Sequence, residues 1–586
     1  MWSFCVPTCG MIGEPHIIIN QSSGTEPHRN EEVLRPFQSD GTFRPIITGN
    51  SLRRTAVRGA GAAFAGQAGN FAVGIGSVAI LARLLTPSDF GIVTMVTTLS
   101  LLFRSFGLNG FTELIIQRQE LNDTLASNLF WIQLGIGTML TVAFACSGRL
   151  LELFYHNAAV GNVAMAMSLT IGIGCLGWIH LGLLQRAMQF RITAVINFSG
   201  QLVLVLVSIV LAIAGWHYWA LVWGSVAQTV VTASGAWLMC RWIPKRVRRT
   251  PGTRQDLKFA MNVYSHFAFS YLTRNTDNLL VGWRFGARVL GFYKKAYDLF
   301  VLPETQLLSP LSAVVVSTLS RTRGDKDQFE RYFLRAISVL ALVGMGIGAD
   351  FTLVGRDLIH IVLGPGWEEA GRIFVFFGPG IGVMLLYDTH GWIHLSIGRP
   401  ERWLHWSLVE FTCTASLFLL TLRWGPSGVA FAWTLSYFLL MFPAFWFAGK
   451  PIGMDVKKVA SSIWRFFVAS AGAGCVTVAL LKVAHIYGFE LRDGTSAAFV
   501  RLISISLLFF ALYLAAVIAL YRGLDPLNET LDVLRDLLPH RASGRQKAAD
   551  EDASISRLSL SSEEEKDNSH KDFAIASNDL RIKGNS

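Results

Sequence analysis

The sequence predicts an all-α polytopic membrane protein of about 14 transmembrane helices, in two six-helix lobes plus two extra C-terminal helices. Three observations predict it. The chain is 52% hydrophobic and only 16% charged, against roughly 25% charged in an average soluble domain. Apolar runs of about twenty residues recur along most of its length, long enough for a helix to cross a bilayer. Short alternating segments, the signature of a β-barrel, are missing from those runs.

The elements follow in chain order. Residues 1–55 are polar and Pro-containing and read as a disordered tail with no cleavable signal. The first lobe, 56–240, holds apolar runs near 60–81, 90–111, 126–147, 158–182, 194–215 and 217–239. A basic linker, 241–256, follows, with "RWIPKRVRRTPGTRQDLK" at 241–258 as its strongest charge signal. The second lobe, 257–450, repeats the count with runs near 257–282, 298–319, 333–354, 372–396, 402–422 and 427–448. Two further spans lie in 451–524, near 462–481 and 498–520. In 525–540, Leu527, Leu531, Leu534 and Leu538 recur at helical spacing, which predicts an interfacial amphipathic helix. Residues 541–586 are charged, Ser-rich and expected to be disordered.

An even number of spans puts both termini on one side. The loops on that side carry about twice as many Lys and Arg as the opposite loops, so both termini are expected in the cytoplasm. The net charge of +11 is read as this positive-inside bias rather than nucleic-acid binding. Arg284, Arg288, Lys294 and Lys295 run against it, in an expected outer loop. Cys146, Cys175, Cys240, Cys413 and Cys475 fall in or beside apolar runs, and Cys5 and Cys9 match no zinc pattern. The sequence has no ATP-hydrolysing G-x-x-x-x-G-K-[ST] loop and no HExxH zinc pattern, and no cofactor or metal is expected.

"ARLLTPSDFGIVTMV" (82–96) and "GWRFGARVLGFYKKA" (282–296) look like copies of one element, about two hundred residues apart. Arg83 precedes Gly91 as Arg284 precedes Gly291, and Arg118 falls opposite Arg321. Such repeats build many secondary transporters, with the substrate site between the halves.

With "FGLNGFTELIIQRQEL", "LLQRAMQFR" (183–191), "TRNTDNLLVGWRFGARVLGFYKKAYDLFVLP" (273–303) and "LGPGWEEAG" (363–371), the chain resembles Wzx-type polysaccharide flippases. These belong to the polysaccharide transport branch of the MOP exporter superfamily. Ala187 and Gln189 depart from that family's more charged loop. The resemblance implies a non-enzymatic flippase of the bacterial inner membrane. It would move oligosaccharide repeat units on undecaprenyl diphosphate by alternating access. It implies membrane lipids, and a polysaccharide polymerase and export machinery, as partners. A multidrug-type exporter of the superfamily, a membrane polymerase or ligase, and a scaffold for the export machinery are the alternatives.

Candidate site residues are the charges inside apolar runs, where burial costs roughly 2.5–3.5 kcal/mol. Arg274 and Asp277 share a helix face at i,i+3. Arg274 lies roughly 15 Å along the helix from Arg284, hence near mid-depth. Either the two form a structural ion pair, or Arg274 pairs with a neighbouring span for assembly, or Asp277 orients Arg274 towards a diphosphate, or Asp277 binds a coupling cation. Asn278 makes the neighbourhood polar, and Arg104 and Arg284 complete the substrate-binding candidates. Asp388, His390 and Glu410 join Asp277 as candidates for ion coupling, and His390 and His394 stand at i,i+4. The Gly-dense "GMGIG" (344–348) and "GPGIG" (378–382) suggest close helix packing.

Overall fold

The computed structural model describes residues 36–43, 50–106, 110–118, 121–248, 253–486, 494–528 and 530–531. Apart from short bridges at 37–43 and 122, their regular structure is helical. The helices are α1 (Asn50–Leu84), α2 (Pro87–Phe106), α3 (Thr112–Gln117), α4 (Asp123–Cys146), α5 (Gly148–Tyr155), α6 (Ala158–Arg186), α7 (Phe190–Ile213) and α8 (Tyr218–Cys240). They continue as α9 (Thr253–Phe300), α10 (Ser309–Arg321), α11 (Lys326–Leu363), α12 (Glu368–Asp388), α13 (His390–Ser396), α14 (Pro400–Thr421), α15 (Gly425–Gly449), α16 (Val456–Ile486) and α17 (Thr495–Tyr521). Among the described residues, nine helical stretches are long and apolar enough to cross a membrane.

The expected spans near 60–81, 90–111, 217–239, 257–282 and 298–319 fall on α1, α2, α8, α9 and α10, outside those nine. The reasons are visible in the chain. Helix α2 carries Asp89 and Arg104, α9 carries polar and charged residues, and α10 has 13 residues. Expected span ten divides into α12 and the short α13.

Gly286, at φ +80° and ψ 178°, turns α9 into a corner that an L side chain would strain. The chain then doubles back, because the Tyr293 hydroxyl reaches Asp277 Oδ2 at 2.7 Å and Arg274 reaches Glu304 at 2.9 Å. Lys294 and Lys295, expected in an outer loop, lie instead on this returning limb. They share Asp298 at 2.6 and 3.5 Å, so one of their two charges is compensated within the bundle.

The repeat meets itself across the α2–α9 contact. A Cβ on Gly91 would lie 1.7 Å from the Ala287 carbonyl oxygen, and one on Gly291 would lie 1.8 Å from that of Pro87. The same two positions, two hundred residues apart, exchange roles, as a pseudo-twofold axis requires. In α11 and α12, Gly344 and Gly348 oppose Gly382 and Gly378, so both Gly-dense stretches are close-packing surfaces.

Two segments depart from expectation. Residues 36–43, placed in a disordered tail, fold against residues 121–123. Phe43 N donates to Leu121 O at 3.2 Å, Asp123 N donates to Gly41 O at 2.9 Å, and Phe37 is buried against Trp242. Residues 241–248 of the basic linker form an extended strap along α4. Trp242 Nε1 donates to Asp123 Oδ1 at 2.7 Å, Lys245 N to Ser127 Oγ at 3.0 Å, and Arg248 N to Asn128 Oδ1 at 3.0 Å. The end of the bundle carrying this strap is termed the inner end, following the orientation expected from the loop charges.

Residues from Ile518 onward form a second unit, in which Thr530 Oγ1 donates to Pro526 O at 2.7 Å. Most of the expected interfacial helix 525–540, and the whole of 541–586, lie outside the described residues.

Candidate functional site

The charged side chains expected in apolar runs fall into three groups. Arg104 sits in the last turn of α2 and lines a cavity of about 110 Å³ with Trp178, Asn197, Gln228, Thr229 and Thr232. This places it among α2, α6, α7 and α8, on the side of Tyr271 of α9, whose buried hydroxyl has no hydrogen-bond partner among the described residues. Among the described residues Arg104 makes no ion pair or hydrogen bond. An uncompensated guanidinium at membrane depth is costly, and a polar cavity beside it lowers that cost by admitting water or an anion.

Arg274 belongs to the second group, and its partner is not Asp277. Its guanidinium donates to both Glu304 oxygens, at 2.9 and 3.2 Å, and lies 3.6 Å from Asp388 Oδ1. The corner at Gly286 causes this, since it brings the π-helical turn Glu304–Leu308 back beside Arg274. Glu304 is 7% exposed, while the Arg274 side chain keeps a third of its surface open. Glu410 of α14 interacts with both Arg274 and Tyr387. One arginine thus pairs with two carboxylates, Glu304 and Asp388, a formal excess of one negative charge. A second-half site built around a surplus of cationic charge is not what the side chains form.

Asp277 is fully buried and accepts from Tyr293 Oη at 2.7 Å, Trp433 Nε1 at 2.9 Å and Asn278 N at 2.7 Å. These donors draw it away from Arg274 and tie both limbs of α9 to α15. Asn278 is buried beside it, with Nδ2 donating to Asn275 Oδ1 at 3.3 Å and its own Oδ1 without a partner among the described residues.

His390 lies beside the second group. Its Nδ1 is 2.6 Å from Tyr387 O, whereas its Nε2, both His394 nitrogens and Asp388 Oδ2 are buried without hydrogen-bond partners among the described residues. Arg284 forms a third location by itself. It is exposed near the Gly286 corner with its guanidinium over Phe285, away from Arg104 and Arg274. Sequence reasoning missed Glu304. Its signal was a lone carboxylate in the apolar stretch "FVLPETQLL" (300–308).

The end opposite the strap closes through bonds between the repeats. Arg83 of α1 donates to the Ile361 and Val362 carbonyls at 2.9 and 3.2 Å, which satisfies the C-terminal end of α11. Trp367 Nε1 donates to Ala82 O at 2.9 Å, and the Trp367 ring packs on Phe90 and Phe292.

A family model described as "Polysaccharide biosynthesis protein" matches residues 80–372, half of the chain. The chain belongs to this family. The matched segment contains both copies of the repeat and Arg104, Arg274 and Glu304, and it ends inside α12. Relatives include the lipopolysaccharide biosynthesis protein WzxC of Escherichia coli, 22% identical over 54% of this chain and 65% of its own length. The succinoglycan biosynthesis transport protein ExoT of Rhizobium meliloti is 21% identical over 62% of this chain and 73% of its own. The teichuronic acid biosynthesis protein TuaB of Bacillus subtilis is 23% identical over 66% and 82%. Among solved structures, the lipid II flippase MurJ in an inward closed conformation superposes with a TM-score of 0.63 at 13% identity, covering 80% of this chain and 99% of that one. A multidrug resistance MATE family transporter of the MOP superfamily, inward-facing, gives 0.54 at 14% identity, covering 67% and 96%. The fold is therefore the one seen in MurJ and in the MATE transporter, and this family member is a multi-pass membrane protein.

Proposed function

We propose that this chain is a flippase of the bacterial inner membrane. It moves oligosaccharide repeat units on undecaprenyl diphosphate during exopolysaccharide or lipopolysaccharide biosynthesis. The observation that carries the reading is Arg104, a guanidinium with no ion pair among the described residues, lining a polar cavity inside the bundle. A diphosphate crossing the bilayer needs such a cation, and the planar fork of an arginine suits phosphate oxygens. The family, and the lipopolysaccharide biosynthesis and succinoglycan transport named in its relatives' descriptions, support the choice of cargo.

The two repeats are the moving elements. The seam of Gly91, Gly291, Arg83 and Trp367 closes the outer end, and its opening alternates with opening at the inner end. Arg104 receives the diphosphate in the first half. In the second half, Arg274 is held by Glu304 and Asp388, so the carboxylates exchange a cation while the arginine keeps their repulsion in check. Asp388, His390 and Glu410 belong to this ion-coupling group, whereas Asp277 is a structural acceptor. Arg284 lies outside the cavity and anchors the corner at the interface. Both termini lie in the cytoplasm, the process breaks no covalent bond, and a polymerase with its export machinery takes up the product.

Binding tests the cargo assignment. The purified full chain is titrated with the diphosphate-linked oligosaccharide and with the same oligosaccharide on a neutral polyprenol. Arg104→Gln is expected to weaken only the first, by about tenfold or more, as loss of a charge-assisted contact requires. Equal loss for both lipids, or for neither, refutes the role of Arg104. The carboxylate excess around Arg274 favours a second reading, export of cationic amphiphiles as by a multidrug-type transporter. Tighter binding of a hydrophobic quaternary ammonium than of the diphosphate lipid would select it.

A further inference from the structure

Away from the transport cavity, three loops at the inner end of the second half enclose a cavity of about 290 Å³. Its walls are Arg323 and Gly324 from the α10–α11 connection, Lys326 at the start of α11, Ile397 and Arg399 from the α13–α14 connection, and Pro451 and Ile452 before α16. Phe329 forms part of the apolar floor. The three cations have no ion pair or hydrogen bond from their side chains among the described residues.

Three of the nearby carboxylates are engaged by other groups. Asp325 caps α11 through Gln328 N at 3.0 Å, Asp455 accepts from Lys457 N at 2.9 Å, and Glu330 holds Lys458. Two of the cationic heads lie over glycine turns that leave them room. A Cβ on Gly398, at φ +70°, would lie 3.6 Å from Arg323 Nη1, and one on Gly453, at φ +64°, would lie 3.3 Å from Lys326 Nζ. Three exposed cations around one concavity repel each other, and an anion between them relieves that repulsion.

We propose that this cavity binds a phosphate-bearing anion. Two guanidinium forks and one ammonium match the several oxygens of a phosphate, and Phe329, Ile397, Pro451 and Ile452 accept the apolar part of its ester. A lipid headgroup and a soluble phosphate share this chemistry. The site is separate from Arg104, so it stands whether or not the chain is a flippase.

The test uses the full chain in detergent, with two probes. Native mass spectrometry counts bound phosphatidylglycerol against phosphatidylcholine, and thermal unfolding follows inorganic pyrophosphate. The double variant Arg323→Gln/Arg399→Gln removes both forks, and Lys457→Gln is the control outside the cavity. Phosphatidylglycerol affinity falling about tenfold or more in the double variant alone identifies a lipid headgroup. Pyrophosphate stabilisation lost in the double variant, with lipid binding unchanged, identifies a soluble phosphate. The single variant Arg399→Gln is read if the double variant does not fold, and a several-fold loss for one probe is expected. Wild type and variants that bind both probes alike would overturn the proposal.

Discussion

Gly91→Ala perturbs the outer seam at its narrowest point. The new Cβ would stand 1.7 Å from the Ala287 oxygen, where ordinary contact begins at 3.4 Å. The α2 and α9 backbones must therefore move apart by about 1.7 Å, because the clash is with backbone rather than a flexible side chain. Overpacking of this kind costs roughly 1–3 kcal/mol. If the cost falls only on the state in which this end is closed, the ratio of closed to open shifts by about 5- to 150-fold. Val96, fully buried on α2, supplies the reporter as Val96→Cys in a background with the native cysteines changed to Ser. Gly91→Ala is expected to raise its labelling by a membrane-impermeant maleimide at least about fivefold. Gly291→Ala should do the same, since its Cβ would meet the Pro87 oxygen at 1.8 Å. The double variant should fall short of the product, because both substitutions widen the same interface. Unchanged labelling and an unchanged melting temperature in Gly91→Ala would refute both the seam and its opening.

Other substitutions separate structural from transporting charges. Asp277→Ala strands the Tyr293 hydroxyl and the Trp433 indole, at about 1–3 kcal/mol for each unmade bond, so its melting temperature should fall below that of Asp277→Asn. Arg274→Ala leaves Glu304 and Asp388 unpaired and should cost about 3 kcal/mol, the low end for a buried pair because a third of Arg274 is open to solvent. Arg274→Ala/Glu304→Gln should recover some of that loss in the same melt. Trp242→Ala cuts the strap's bond to Asp123 and should expose Lys245, Arg246 and Arg248 to trypsin several-fold faster than in wild type.

The long apolar helices, the repeat and the charged positions inside them were legible because each is a local pattern. The repeat gained its meaning only in three dimensions, where Gly91 and Gly291 became two sides of one contact. Of the pairings the sequence left open, Arg274 takes partners on neighbouring elements rather than Asp277, for a specific reason. The i,i+3 spacing put Asp277 within reach, but Tyr293 and Trp433 donate to that carboxylate from elsewhere in the fold. The true partner, Glu304, stands thirty residues on, beyond a corner that Gly286 makes. The strap 241–248 and the turn 36–43 carried no periodicity to read. Their backbones are held by side chains of α4 and by the loop preceding it, and no pattern within either segment encodes that.

Flipping itself is the most direct measurement. The full chain is reconstituted in proteoliposomes with a fluorescent undecaprenyl-diphosphate oligosaccharide, and the fraction reaching the opposite leaflet is read by access to a membrane-impermeant quencher. Wild type is expected to transfer the lipid well above empty liposomes, and Arg104→Gln at equal insertion to lose most of that transfer. Transfer by wild type no faster than by empty liposomes would contradict the proposed function, and equal transfer by both proteins would remove Arg104 from it.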